Sequence, residues 1–212
     1  GKAVVPSFLN PIGMPRDGWE SLGISQEFGK KQIEVNAAYT RLGIRPSCTC
    51  TPYYFTLIER GDHLAWSESS AVVYANSVLG ARTNREGGPS ALASALTGKT
   101  PEYGLHIVKN RLPEIEFRLA DPEAAKSWTQ AEYGALGIIA GAISGNKIPL
   151  FKGIRPKADM LKSMGAAMAA SGAVALFHVE DITPEARFPF FKKHFAEDER
   201  EVITIENEEI KE

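Results

Sequence analysis

The sequence predicts an α/β protein, a mostly parallel layered sheet with flanking helices and some antiparallel strands in the middle. Two observations predict this class. Short apolar runs alternate along the chain with segments of helical periodicity, the order that a parallel sheet with crossover helices requires. Residues 173–177 are apolar throughout, as expected of a strand covered on both faces rather than one. With 212 residues, 43% of them hydrophobic, the chain can bury a sizeable core, and residues 1–212 are read as a single α/β unit.

The elements follow in order. Ala3, Val4, Val5 and Pro6 form a strand-like run. Over residues 17–41, Trp19, Leu22, Phe28, Ile33, Val35, Ala38 and the adjoining Leu42 fall at spacings near three and four, a helical period. Gly23 and Ser25 divide this segment into two helices, with Ser25 as N-cap of the second and Phe28 in its first turn. Gly43 ends it, and Pro46 keeps residues 44–50 in a loop. Residues 69–79 fit helix or strand by pattern; the small residues after Glu68 favour a helix beginning at Glu68-Ser69-Ser70. Gly87-Gly88-Pro89-Ser90 is a turn, and residues 90–97 a helix ended by Gly98. Residues 106–108 and 115–119 read as antiparallel or edge strands, 126–144 and 159–171 as helices. His178 ends the apolar 173–177 strand, where open α/β sheets place ligands. Residues 202–205 form a last strand. The polar run after them resembles the start of a further element, so the chain is expected to be an internal piece of a longer protein.

Composition excludes several functions. A formal net charge of −2, with no basic stripe, argues against nucleic acid, whose binding requires cations to displace counterions. The most apolar stretches, 135–143 and 164–177, are too short or too rich in Gly, Ala and Ser to span a bilayer. With no leader-type segment ahead of the first motif, the cytoplasm is the expected location. Cys48 and Cys50 are the only cysteines. A disulfide between residues so close would be strained and would close almost no loop, which suits a reducing compartment.

Two constellations carry candidate chemistry. In Cys48-Thr49-Cys50-Thr51-Pro52-Tyr53 the thiols lack the second pair of a zinc ribbon. They are either an inert pair or partial ligands to a metal or cluster, with Thr49, Thr51 and Tyr53 placed to tune a sulfur ligand. Glu68, Ser69, Ser70, Asn76, Ser77, Arg82, Thr83, Asn84 and Arg85 then gather polar side chains among small residues, a substrate-binding pattern. Arg82 and Arg85 suit a carboxylate or phosphate, whose two oxygens match the guanidinium fork; a surface loop with Arg–Glu pairing is the other reading. His63 and His178 are placed to contact a ligand, whereas His106 and His194 read as structural or exposed. No phosphate-binding Gly-x-x-x-x-Gly-Lys motif and no Gly-x-Ser-x-Gly elbow occur.

The Cys48–Tyr53 loop, the run from Ala65 to Gly88 that ends Arg82-Thr83-Asn84-Arg85-Glu86-Gly87-Gly88, Leu9-Asn10-Pro11 and residues 169–180 together resemble the aconitase X family. The Asn84-Arg85-Glu86-Gly87-Gly88-Pro89 run is similar to its archaeal, phosphomevalonate-dehydrating branch. The resemblance implies an aconitase-like fold and a hydro-lyase that uses an iron–sulfur cluster, four-iron rather than two-iron, as Lewis acid. Cys48 and Cys50 would supply cluster ligands, completed from outside this chain. The substrate implied is mevalonate 5-phosphate, dehydrated on a route to isoprenoids, with cis-3-hydroxy-L-proline or another small hydroxy acid as alternative. A small, swivel-domain subunit is the implied partner. A reading of another class makes the chain a non-catalytic binding or interaction module. Family large subunits are roughly twice as long, so these 212 residues alone are expected to hold no complete cluster and to turn over no substrate. Iron and sulfide content and dehydratase assay of the isolated chain check this; a cluster-bearing, active product would overturn it.

Overall fold

The structure is a computed structural model that describes residues 1–195 and 200–211. A 3₁₀ turn, Trp19–Leu22, is bounded by Gly18 and Gly23, both left-handed, and precedes helix α1, Gln26–Arg41. Ser25 caps α1 as predicted, its hydroxyl accepting the Phe28 N–H at 3.2 Å. Trp19 is buried against Gly29, where any Cβ would strike the indole. Phe28, Ile33 and Val35 stay substantially exposed. Helix α2, Ser69–Tyr74, continues into a π turn, Ala75–Leu79. Helix α3, Gly88–Thr97, ends at left-handed Gly98, and two 3₁₀ turns follow, Gly104–His106 and Val108–Arg111.

The sheet lies in the second half. Strands β1 (Ile115–Leu119), β2 (Pro149–Lys152), β3 (His178–Val179) and β4 (Glu201–Ile205) are ordered β3-β2-β1-β4 and all run parallel. Helices α4 (Gln130–Ser144) and α5 (Ala158–Ser171) make the crossovers, and α6, Pro189–Phe195, precedes β4. Phe117 and Phe151 stack in register across β1 and β2 at 5.2 Å, and Phe177 meets Phe151 edge-on at 6.3 Å. Helices α4 and α5 approach closely at glycines. A Cβ on Gly141 would lie 2.8 Å from the Met168 Cα, and one on Gly137 would strike the Met164 carbonyl. Helix α2 packs on α5 through Val73, which lies 3.3 Å from the Cβ position of Gly165. The site-bearing segment thus rests directly on the sheet layer.

The α/β class and the parallel sheet agree with the sequence. The antiparallel middle does not occur: residues 106–108 belong to the 3₁₀ turns, and β1 is parallel to both neighbours. Residues 173–177 form no regular element and are buried or half-buried from Val174 on, and the ladder forms only at His178 and Val179. Residues 3–6 form no strand; the Val4 N–H instead donates to the Ala95 carbonyl at 2.9 Å. Helix α4 begins after Thr129, which caps it in a capping box with Glu132. Strand β2 was not anticipated. Among the described residues no helix is long and apolar enough to cross a membrane.

Replacing Gly141 by valine should separate α4 from α5 and cost about 1–3 kcal/mol. Gly134→Ala, where nothing lies within 4 Å of the new Cβ, should instead stabilise by roughly 0.5–1 kcal/mol. Urea denaturation of both variants checks the contrast.

Candidate active site

The cysteine loop is tied down at its base and open at its tip. The Thr49 N–H and the Ser47 hydroxyl both donate to the Leu9 carbonyl, at 3.2 and 3.3 Å. The Thr49 and Thr51 hydroxyls lie 3.1 Å apart, and the Thr51 N–H donates to Thr49 Oγ1 at 3.0 Å, so both hydroxyls hold the loop to itself. Cys48 has a left-handed backbone, φ 49°, which is uncommon outside glycine and turns the chain sharply. Cys48 is half-buried and Cys50 exposed; both thiols are free. Beyond them, Tyr53 stacks on Tyr74 at 4.2 Å and lies 6.5 Å from Trp66, anchoring the loop to α2. Burial pushes the Tyr53 hydroxyl up, and Tyr54, Tyr74, Cys50 and Glu68 add to the effect. Cys50 and Glu68 therefore both stand within electrostatic reach of one phenol, which joins the two constellations.

The remaining predicted residues divide into a frame and a face. Glu68 caps α2, accepting the Ala71 N–H at 2.7 Å and the Ser70 hydroxyl at 2.6 Å, with Ser69 opening the helix. Asn76, in the π turn, is buried: its amide donates to the Thr83 and Ala175 carbonyls, each at 2.8 Å, and its oxygen accepts the Thr83 N–H at 3.0 Å. Ser77 accepts the Phe177 N–H at 2.9 Å, and the Thr83 hydroxyl accepts from the Trp66 N–H at 3.1 Å. Asn84 spans to the Tyr103 carbonyl and the Leu105 N–H. Asn76, Ser77, Thr83 and Asn84 thus use their polar atoms within the chain. Arg85 is exposed. Arg82 is half-buried; its Nη1 donates to the His106 carbonyl at 3.4 Å, while its buried Nε has no partner. His178 lies in the core, its Nε2–H donating to the Arg111 carbonyl at 2.7 Å and its ring against Phe191. The structure does not bring it to the face on which Glu68 and the cysteine loop lie.

Sequence reasoning missed Arg111 and Glu185. Arg111 is fully buried and uses all five N–H groups, the guanidinium complement. Nε pairs with Glu185 at 2.7 Å; the others reach Asn76 Oδ1, the Leu105 carbonyl, the Asn76 carbonyl and the Ala81 carbonyl at 2.9–3.2 Å. Burial raises the Glu185 carboxyl above its usual range, and the adjacent guanidinium pulls it back. Locally, Arg111 sits in a charged run that reads as surface, and only its flanking Val108 and Leu112 signal burial. A cleft of about 560 Å³ opens between the N-terminal segment, α3 and residues 62–68, with Asn10, His63, Trp66, Glu68 and Leu92 on its walls. Of the residues singled out from the sequence, Glu68 and His63 line it. Among the described residues no group of three or more His, Cys, Asp or Glu could hold a metal ion. Cys48 and Cys50 fit part of a cluster's thiolate shell and cannot complete one.

Residues 1–109 match the family model described as aconitase X first domain, and residues 106–212 that of the aconitase X second domain. Phosphomevalonate dehydratase large subunit of Methanosarcina mazei is 54% identical over 206 residues, covering 96% of this chain and 50% of the relative. Cis-3-hydroxy-L-proline dehydratase of Hypocrea jecorina is 40% identical over 190 residues, 88% of this chain and 32% of the relative. The crystal structure of Thermococcus kodakaraensis aconitase X in its holo-form superposes with a TM-score of 0.84 at 46% identity, covering 99% of this chain and 50% of that one. The chain spans about half the length of these phosphomevalonate relatives.

Arg111→Met should cost about 3–5 kcal/mol, because it strands a buried carboxylate, and Arg111→Met with Glu185→Leu should be less destabilised than the single variant. Equilibrium denaturation of both decides it. Burial pushes His178 from the ordinary 6.5 down to about 4. Below pH 6.5 the unfolded chain therefore takes a proton that the native chain refuses. The stability due to neutral His178 is complete above that pH and lost as pH falls toward 4. His178→Gln keeps a donor for the Arg111 carbonyl without titrating, so the stability advantage of wild type over this variant should shrink from pH 7 to pH 4.

Proposed function

This chain belongs to the aconitase X family, and we propose that it is part of the large subunit of an iron–sulfur hydro-lyase that dehydrates mevalonate 5-phosphate to an anhydromevalonate phosphate in isoprenoid biosynthesis. The observation that carries the reading is that four archaeal proteins named for that reaction are 47–54% identical to this chain, above the 38–40% of those named for hydroxyproline dehydration; a fifth, from Aeropyrum pernix, is 37% identical. When bound, an iron–sulfur cluster with an open iron supplies Lewis acidity to the departing hydroxyl. Cys48 and Cys50 supply thiolates to it from the open tip of their loop, with the remaining ligands from outside these residues and a four-iron cluster favoured. The stack of Tyr53 on Tyr74 fixes the loop against α2, so the thiolates and Glu68 keep a constant relation.

Arg82 and Arg85 meet the anionic ends of the substrate. Arg82 is held by the Asn76–Thr83 bonds beside it and keeps a buried Nε–H without a partner; Arg85 is exposed at the surface. Ser69 and Ser70 sit beside Glu68 at the start of α2 and contribute hydroxyls. Residues 1–212 act as one α/β unit, a reading supported by the packing of α2 on α5 and by the Arg111–Glu185 pair. A small swivel-domain subunit completes the enzyme, in the cytoplasm.

The test is anaerobic reconstitution of the full large subunit with its small subunit, assayed on mevalonate 5-phosphate and on cis-3-hydroxy-L-proline. Turnover of the phosphorylated substrate is expected, with iron and sulfide lowered in Cys48→Ser and Cys50→Ser and KM raised in Arg85→Met. Turnover of the hydroxyproline alone would overturn the substrate assignment.

A further inference from the structure

Outside the Arg111 frame, side chains of the first family domain also meet those of the second through rings and cations. Arg60 lies over Phe188 at 3.9 Å from the ring centroid, and His63 faces His106 with their Nδ1 atoms 2.8 Å apart. A third contact of this kind reaches the cysteine loop. Lys162 on α5 extends to Tyr54, 108 positions earlier, and its ammonium donates to the Tyr54 hydroxyl at 3.0 Å. The same ammonium lies 4.8 Å from the Tyr54 ring centroid and 5.9 Å from that of Tyr53. No carboxylate among the described residues pairs with Lys162, so a hydroxyl and two rings are what hold this cation.

The contact joins a fixed helix to the loop by a short route. Leu161 and Met164, on either side of Lys162, are buried, and Gly165 packs against Val73 of α2. At the other end, Tyr54 closes the 3₁₀ turn Pro52–Tyr54 that follows the loop. Its N–H donates to the Thr51 carbonyl at 3.1 Å, and Thr51 is bonded to Thr49 Oγ1 through both its N–H and its hydroxyl. Thr49 lies between the two cysteines. A line of contacts therefore runs from α5 through Tyr54 and two threonines to the backbone that turns at Cys48. Tyr54 also meets the Tyr53 ring at 4.9 Å, but it is 63% exposed, so packing alone restrains it weakly. The Lys162 charge reaches Tyr74 as well, where it opposes the burial that raises that hydroxyl.

We propose that Lys162 is a positioning residue for the cysteine loop: from the second domain it holds Tyr54, and through Thr51 and Thr49 the conformation in which Cys48 and Cys50 present their thiols together. The inference rests on the reading of both cysteines as cluster ligands. Lys162 takes no part in ligation; it acts through Tyr54.

The test uses the full large subunit. Cys48 is half-buried, with its thiol on the Pro46 carbonyl at 3.6 Å. In the cluster-free protein its rate of modification by iodoacetamide, read by fragment-ion mass spectrometry, reports how often the loop opens. Lys162→Met keeps an apolar stem and removes the charge. It is expected to raise that rate about 2- to 5-fold, the scale of an exposed cation–ring contact, with an unchanged urea midpoint. Lys162→Arg, which keeps a cation and a donor, is expected to restore the wild-type rate, and in a Tyr54→Leu background Lys162→Met is expected to add nothing. After reconstitution with the small subunit, loss of iron to a chelator should quicken in Lys162→Met and recover in Lys162→Arg. An unchanged Cys48 rate overturns the proposal. A slower rate overturns it too, since that is the mark of a cation acting on the thiolate rather than on the loop. So does a faster rate that Lys162→Arg fails to restore, that persists in the Tyr54→Leu background, or that leaves iron loss unchanged. A wild-type assembly that takes up no iron overturns the cluster reading, while the Cys48 rates still decide whether Lys162 holds the loop.

Discussion

The guanidinium of Arg111 sits where water cannot reach it, and each of its five N–H groups points at an oxygen of the same chain. A buried cation left short of partners costs several kcal/mol, so the oxygens must be delivered together or not at all. They come from the π turn at Asn76, from the Ala81 carbonyl just before Arg82, from Leu105 one residue before His106, and from Glu185 beyond β3. Three segments, around residues 76–81, at 105 and at 185, are thereby held at one point. Arg111 lies where the two matched family domains meet, at 109 and 106. It binds the polar segment of the first to the sheet of the second. Its carbonyl also receives His178, so the end of the sheet and the site share an anchor.

The layer behind that anchor is stiff for separate reasons. Glycines at 137 and 141 bring α4 and α5 to backbone contact, and stacked phenylalanines fill the sheet side. Helix α2 lies on α5, which converts a short helix that would be marginal alone into a fixed platform. From it the chain departs from α-geometry in a π turn, a feature often found at functional sites. Here the turn serves to aim Asn76 inward at Thr83 and Arg111. The side chains that look most like substrate binders in sequence are in part the scaffold that holds Arg82 in place.

The family assignment and the geometry meet at the cysteine loop. Its two thiols form no disulfide; the Cys48 thiol donates to the Pro46 carbonyl at 3.6 Å, the neighbouring threonine hydroxyls bond each other, and Tyr53 is held by Tyr74. The chain spans about half the length of its phosphomevalonate relatives, and the loop holds the two cysteines of its sequence. The cleft beside it has a carboxylate at Glu68 and an imidazole at His63, both on the wall formed by residues 62–68.

What could be read from sequence was local or holistic. The Ser25 cap, the Gly98 helix end, the start of α2 at Glu68 and the α/β class follow from capping chemistry and periodicity over a few residues. The cysteine loop and the polar run of residues 68–88 were visible as compositions, and their kinship to aconitase X lay in long identical stretches. Strand β2 was not legible because four residues carry too little pattern, and residues 106–108 imitate a strand although their turns are set by Arg111 and Asn84. Neither Arg111 with Glu185 nor His63 with His106 could be paired from sequence, since they lie 74 and 43 positions apart. Capping and period depend on backbone bonds a few residues long. Which charge is buried, and which ring meets which, depends on how the layers close over one another. The sequence by itself therefore determined the class, the family and the candidate loop, and the tertiary structure alone decided which polar residues form the frame and which face the cleft.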